Sequence, residues 1–378
     1  MPKKKSSYSA ATAVRRILSE LATRWHRLAP KSKPPVDKLA CGLLGTGQFF
    51  NYAYLPALNR NNSPLVVAGI LARDENKFRA TQRGLRYATS HFSDADALLA
   101  SGINAALILL PNHLHPEFAR TALERGLNVF CEKPLGKNVA ECLALKAVAE
   151  KSGRVLMVDF NQRYSDRNRV LKNVIAENRI GKITSVHAFH NQNLAARLKS
   201  FAPLHRDLTG GGVLHNACVH FVNLFLHWFG DVDRVHAVFE NRALPATCGE
   251  DTAHCRFWFR NGVTAMLDAS LADAVDTTYE RVQFTGEAGE ITSDLKRGEI
   301  LCRLQAKPQL KIPCRLEIMS DSVFNALQHF ERCVKNGLRP ETDVDDSIKT
   351  MKVIEALTLS AQRGAEVHLD EIERKYAC

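Results

Sequence analysis

K-L-A-C-G-L-L-G-T-G-Q-F-F, residues 38–50, is the stretch that decides the fold. Lys38 to Leu44 is a largely apolar run that reads as a buried strand, and Gly45-Thr46-Gly47 ends it. A helical pattern follows through Tyr54 and Leu58. A glycine-rich turn from strand to helix lets the backbone approach a pyrophosphate, and the helix N-terminus supplies unpaired N–H groups and a favourable dipole. Gly45, Thr46, Gly47, Gln48 and Phe49 are therefore the candidate phosphate turn. Phe50 stands where a third small residue is usual, so either the helix sits slightly off the strand or Phe50 faces away.

Working outward, Leu65 to Leu71 is a second strand-like run, ending in Ala72-Arg73-Asp74. An acid at this tip normally takes ribose hydroxyls and selects NAD. Here Ala72 and then Arg73 stand near it, which suits the 2′-phosphate of NADP. The competing reading gives the ribose to Asp74 and leaves Arg73 solvated. Ala105 to Leu110 leads into Pro111-Asn112-His113-Leu114-His115, and Leu127 to Cys131 into Glu132-Lys133-Pro134. Asn138 with Glu141 marks a helix start, and Val155 to Asp159 completes the series. Strands alternating with helices predict a parallel sheet covered on both faces, with ligands beyond the carboxyl ends of its strands. Pro111, Asn112, His115, Glu132 and Lys133 fall just past such ends.

Gly45-Thr46-Gly47, Pro111-Asn112 with His115, Glu132-Lys133-Pro134 and Gly210-Gly211-Gly212-Val213-Leu214 occur in one order. Over about residues 38–370 the sequence resembles the glucose–fructose oxidoreductase/inositol dehydrogenase/MocA family of NAD(P)-dependent oxidoreductases. The resemblance implies an α/β protein: an N-terminal Rossmann dinucleotide-binding domain, then a C-terminal α/β domain with an open, largely antiparallel sheet facing the nicotinamide. It implies a cis Lys133–Pro134 peptide and a Lys133 that reaches the reacting hydroxyl. Arg163 matches a family position that often lines the substrate site, although a solvated crossover arginine fits the same pattern. Family members commonly carry Asp and His where this chain has Asn216 and His220, four residues apart on one helical face. Asn216 cannot take a proton but can orient a hydroxyl. Family branches that act on sugar nucleotides are similar in using Asn here and keeping the His, so the resemblance implies sugar nucleotides over free inositol. The resulting catalytic set is Lys133, His220 and Asn216, and Arg163 and Arg206 join them as substrate contacts.

The organisation follows: a basic extension over 1–36, the dinucleotide-binding domain over 37–160 and the substrate and oligomerisation domain over 161–378. The segment 192–209, with Arg197, Lys199, His205 and Arg206, reads as a loop for phosphate or carboxylate groups or as a solvated face. Beyond it, strands are expected at 232–240, 252–259 and 263–269, with Asn261-Gly262 as a tight hairpin, and helices at 321–335 and 345–363.

Of the net charge of +11, the first 36 residues carry +8, from nine basic residues and one acid. The rest is nearly balanced, which argues against a nucleic-acid surface. Residues 10–28 read as an amphipathic basic helix, an arm rather than a targeting peptide because Glu20 and Arg24 interrupt it. No apolar run is long enough to span a bilayer. Ten cysteines without a C-x-x-C pair suggest a reducing, cytoplasmic setting and no structural zinc, and no metal is expected. The expected partners are NADP or NAD, a sugar-like molecule and further copies of the chain. Two rivals stand beside the dehydrogenase: a non-catalytic NAD(P)-binding regulator and an NAD-assisted redox glycosidase.

Overall fold

The computed structural model describes Ile17 and residues 31–33, 35–194, 205–273, 279–295, 298–315 and 317–377. The expected helix at 10–28 and the basic residues Arg197 and Lys199 lie outside them. The apolar runs of the first third form β1 (Leu39–Leu44), β2 (Leu65–Leu71), β4 (Ala105–Ile108), β5 (Asn128–Glu132) and β6 (Leu156–Asp159). A short polar strand, β3 (Ser90–Phe92), adds the edge that the pattern did not predict. All pair in parallel, in the order β3-β2-β1-β4-β5-β6. The crossovers are α1 (Leu55–Leu58), α2 (Glu75–Gly84), α3 (Ala95–Leu99), α4 (His115–Glu124) and α5 (Val139–Ser152). Asn138 caps α5, its side chain accepting the Glu141 N–H, as the sequence implied.

The chain then continues through α6 (Asp166–Ala176), β7 (Ile183–Asn191), α7 (Arg206–Thr209) and α8 (Val219–Phe229). Next come β8 (Val232–Glu240), β9 (Thr252–Phe259), β10 (Thr264–Ser270), β11 (Tyr279–Gly286), β12 (Gly289–Asp294), β13 (Glu299–Leu304) and β14 (Leu310–Ile312). The last elements are α9 (Met319–Asn336), α10 (Val344–Arg363), β15 (Val367–His368) and α11 (Leu369–Lys375). The second sheet runs β14-β13-β12-β11-β7-β10-β9-β8-β15, antiparallel except between β7 and β10. Strand alternation in β7 and β10 buries one face against α8 and α10 and leaves the other partly open.

Two late helices tie the sheets together. Val323, Phe324, Leu327 and Phe330 of α9 join Leu43, Phe50, Tyr54 and Phe130 in one core, with the Phe130 and Phe330 rings 5.4 Å apart. α10 packs between α5 and α8, and its Glu355 accepts the Val139 N–H at 2.8 Å. The sheet of residues 39–159 is therefore completed by chain from beyond residue 318. Among the described residues no helix is long and apolar enough to cross a membrane, and the nine described cysteines are all free.

Candidate active site

The phosphate turn is built as its residues demand. Gly45 has φ +105°, and a Cβ there would meet the Leu109 carbonyl oxygen at 2.3 Å, so β1 can pass β4 only with glycine at this point. A Cβ on Gly47 would meet nothing within 4 Å. That open space at a helix start, with Gln48 and Phe49 exposed beside it, fits a pyrophosphate. Phe50 resolves its own conflict by facing the core, and residues Phe50–Tyr54 widen into a π turn, with the Leu55 N–H bonded to the Phe50 carbonyl.

At the tip of β2, Ala72 is buried and Arg73 exposed. The Asp74 carboxylate accepts the Lys77 N–H and caps α2. Pro111 is exposed, and the Asn112 amide donates to the Thr209 carbonyl at 3.3 Å, joining the two halves across the strand ends. His115 does not face this cleft. Its ring is fully buried, with Nδ1 2.8 Å from the Pro134 carbonyl and Nε2 2.7 Å from that of Leu110, so no ring nitrogen remains for a cofactor. It braces two strand-end loops instead.

The Lys133–Pro134 peptide is cis, as the resemblance implied. Lys133 reaches across to the second half of the molecule, where its ammonium donates to the Asn216 carbonyl at 2.5 Å. Burial lowers its proton affinity, and Glu132 and Asp159 work against that. Glu132 is buried too. It accepts the Tyr54 hydroxyl at 2.6 Å and the Lys133 N–H at 3.1 Å, so both of its oxygens are engaged within the protein.

The triple glycine opens the segment that carries Asn216 and His220. A Cβ on Gly212 would lie 1.8 Å from the Glu250 carbonyl oxygen, and the Glu250 carboxylate accepts the N–H groups of Gly212 and Leu214. This carboxylate holds the start of the helix, a role that the sequence did not signal. Leu214–Cys218 then form a second π turn before α8. Within this widened turn Asn216 meets Lys133 through its main-chain carbonyl, a contact that the sequence did not signal.

His220 lies against the Phe160 ring, 6.4 Å between centroids, and its buried Nδ1 has no partner among the described residues. Burial first, then Lys133, pushes it well below the usual histidine range, with Glu280 opposing, so the imidazole is neutral at pH 7. Glu280 and His190 sit behind it, 3.3 Å apart, and Arg167 pairs with Glu280 at 3.1 Å. Both Glu280 and Arg167 were missed in the sequence, because their meeting spans 113 residues.

The structure does not bring Arg163 into this group. Its guanidinium is buried against Asp346 at 3.1 Å and the Glu341 carbonyl at 3.3 Å, and Asn223 shares the same carboxylate. Arg206 is exposed at the start of α7, close enough to Glu250 to lower that carboxyl's proton affinity in part.

Both halves of the chain match known proteins. Residues 39–160 match the model of the oxidoreductase family with an NAD-binding Rossmann fold, and residues 168–292 match the GFO/IDH/MocA C-terminal domain. D-xylose 1-dehydrogenase (NADP(+)) 2 of Haloferax volcanii is 30% identical over 336 residues, 87% of this chain and 99% of the relative. The scyllo-inositol 2-dehydrogenase (NAD(+)) of Bacillus subtilis is 26% identical, over 90% of this chain and 98% of its own. A levoglucosan dehydrogenase solved with NADH and levoglucosan superposes with TM-score 0.79 at 20% identity, covering 88% of this chain and 99% of that one. The chain belongs to the Gfo/Idh/MocA family of NAD(P)-dependent oxidoreductases.

Proposed function

We propose that the chain is an NADP-dependent dehydrogenase of a free sugar, with Lys133 and His220 as its acid–base groups. One observation carries this reading: the Lys133 ammonium meets the carbonyl of Asn216, four residues before a neutral His220 whose Nδ1 has no partner among the described residues. When bound, the nicotinamide gives or takes the hydride. The cofactor would be held by the Gly45–Phe49 turn, by Ala72 and Arg73 at the β2 tip and by Pro111 and Asn112. NADP is favoured because Asp74 is committed to capping α2 while Arg73 stands exposed beside it. The xylose-oxidising relative is named for the same cofactor.

Lys133 hydrogen-bonds the substrate oxygen and shares its proton, and the Asn216 carbonyl fixes where the amine points. His220, uncharged, accepts or returns a proton through Nδ1. The Asn216 amide makes no hydrogen bond among the described residues and is free to orient a hydroxyl. Free sugars are preferred to sugar nucleotides because the relatives reported above are named for unmodified sugars and cyclitols. Residues 37–160 act as the cofactor unit and 161–378 as the substrate unit, with self-association on the open face of the second sheet. No observation favours a regulator or a redox glycosidase.

The test pairs fluorescence titration of NADPH and NADH with turnover of NADP+ on D-xylose, other aldoses and inositols. NADPH should bind more tightly, and one sugar should turn over. Lys133→Ala should then lower kcat about a hundred- to ten-thousand-fold with little change in cofactor affinity. Turnover within a few-fold of wild type would refute the assignment.

A further inference from the structure

Glu132 and Asp159 end the neighbouring parallel strands β5 and β6 and are register partners, which sets their carboxyl groups side by side. Both are buried. The Tyr54 hydroxyl, from the first π turn, lies 2.6 Å from a Glu132 oxygen and 2.5 Å from an Asp159 oxygen. A phenol carries one proton and can donate to only one of them. Two ionised carboxylates here would leave the second contact as oxygen against oxygen with no proton between, in a buried site of low dielectric.

The remaining oxygens show where the extra proton sits. The second oxygen of Glu132 accepts the Lys133 N–H, as a carboxylate should. Oδ1 of Asp159 is buried and has no hydrogen-bond partner among the described residues. An unpartnered oxygen is far less costly on a neutral acid than on an anion. We propose that Asp159 is a carboxylic acid donating to Tyr54, whose hydroxyl donates to Glu132, so that one negative charge, not two, stands beside Lys133 and sets its proton affinity. Asp159 and Tyr54 are thus positioning residues for the amine.

The other titratable groups facing the pair are the Cys131 thiol and the Tyr164 phenol, both kept un-ionised chiefly by burial. Lys133 is the cation that faces both carboxyls. The proposal rests on Lys133 as the acid–base group only for its kinetic consequence. The protonation of Asp159 stands or falls separately.

Infrared spectra of the whole protein at neutral pH test the proton directly. The carboxylic-acid C=O band of the wild type should lose one component in Asp159→Asn, and identical spectra would overturn the proposal. Asn mimics the neutral acid in shape and donor, so Asp159→Asn should fold with a Tm close to wild type. A variant that fails to fold, or loses several degrees, also counts against it. For the kinetic arm, the pH profile of kcat is measured with NADP+ and D-xylose. Glu132→Gln should move the Lys133 limb down by about 1–3 pH units, because it removes the single negative charge. Asp159→Asn should leave the limb within about half a unit. A downward shift in Asp159→Asn as large as that in Glu132→Gln would show two ionised carboxylates. An infrared band present with neither variant moving the limb would leave the proton in place and remove Lys133 as the acid–base group.

Discussion

The two glycine-rich turns of this chain look alike in sequence and differ in what lies beside the helix start. Gly45-Thr46-Gly47 and Gly210-Gly211-Gly212 each precede a helix that begins with a π turn, at Phe50–Tyr54 and at Leu214–Cys218. In the first, a Cβ on Gly47 would project into open space, and the helix start is left without a side-chain cap. In the second, a Cβ on Gly212 would strike the Glu250 backbone, and the Glu250 carboxylate already occupies the helix start. Both turns use a glycine to bring two backbones together, Gly45 against Leu109 and Gly212 against Glu250, but only the first adds a second glycine, Gly47, that faces open space. The helix end beside the open space is the one without a side-chain cap among the described residues.

The contrast can be broken by substitution, and the largest effect is expected at the second turn. Gly212→Ala should cost more than about 3 kcal/mol or prevent folding, since the atom it meets is backbone and cannot swing aside. Chemical denaturation measures this, and a loss under 1 kcal/mol would show that the turn is not close-packed. His215, buried against Gly211 in the same π turn, is held down to about 4 by burial. A base with a lowered folded value stabilises the fold above its unfolded value of about 6.5, and that contribution is lost as pH falls from there towards 4. Wild type should therefore lose up to about 3 kcal/mol from this group over that interval. His215→Gln should show a shallower decline, and parallel curves would contradict the assignment.

At the first turn the effects should fall on ligand binding. Arg73→Ala should weaken NADPH by about ten- to a hundredfold, the value of a charged hydrogen bond to phosphate, and leave NADH unchanged. Equal weakening of both would place Arg73 away from the 2′-phosphate. Gly47→Ala should weaken NADPH about tenfold, and its Tm should stay near wild type because the methyl meets no protein atom. If Gly47→Ala instead lowers the Tm and spares binding, the two turns are alike after all.

What was legible in the sequence follows the reach of its signals. Buried parallel strands leave unbroken apolar runs, so β1, β2, β4, β5 and β6 were readable to within a residue or two, and β8, β9 and β10 equally so. β3 is three residues, exposed and polar, and carries no such run. Lys133 was legible through its tripeptide and His220 through its helix. The π turns were not, since one extra residue per turn leaves no mark on composition, and so the Asn216 carbonyl was overlooked in favour of its amide. Arg163 was misplaced for a different reason: its partner Asp346 lies 183 residues away, and pairing at that distance is a property of the fold. Tyr54 and Asp159 are alike in this respect, each ordinary in its own segment and unusual only where it meets Glu132, which its tripeptide had already marked.

One consequence concerns the order in which the protein is made. The aromatic face of the first sheet, around Phe50, Tyr54 and Phe130, is covered by Phe324, Leu327 and Phe330. A ribosome that has finished the last strand of that sheet at Asp159 must add about as much chain again before its cover emerges. For all that time the nascent sheet presents an aromatic surface to the cell, and a chaperone, a passing apolar chain or the cofactor itself is the company it can keep. A fragment ending near residue 160 would carry the nucleotide turn intact and yet stay sticky. Supplying residues 319–336 as a separate peptide is the natural way to make it soluble.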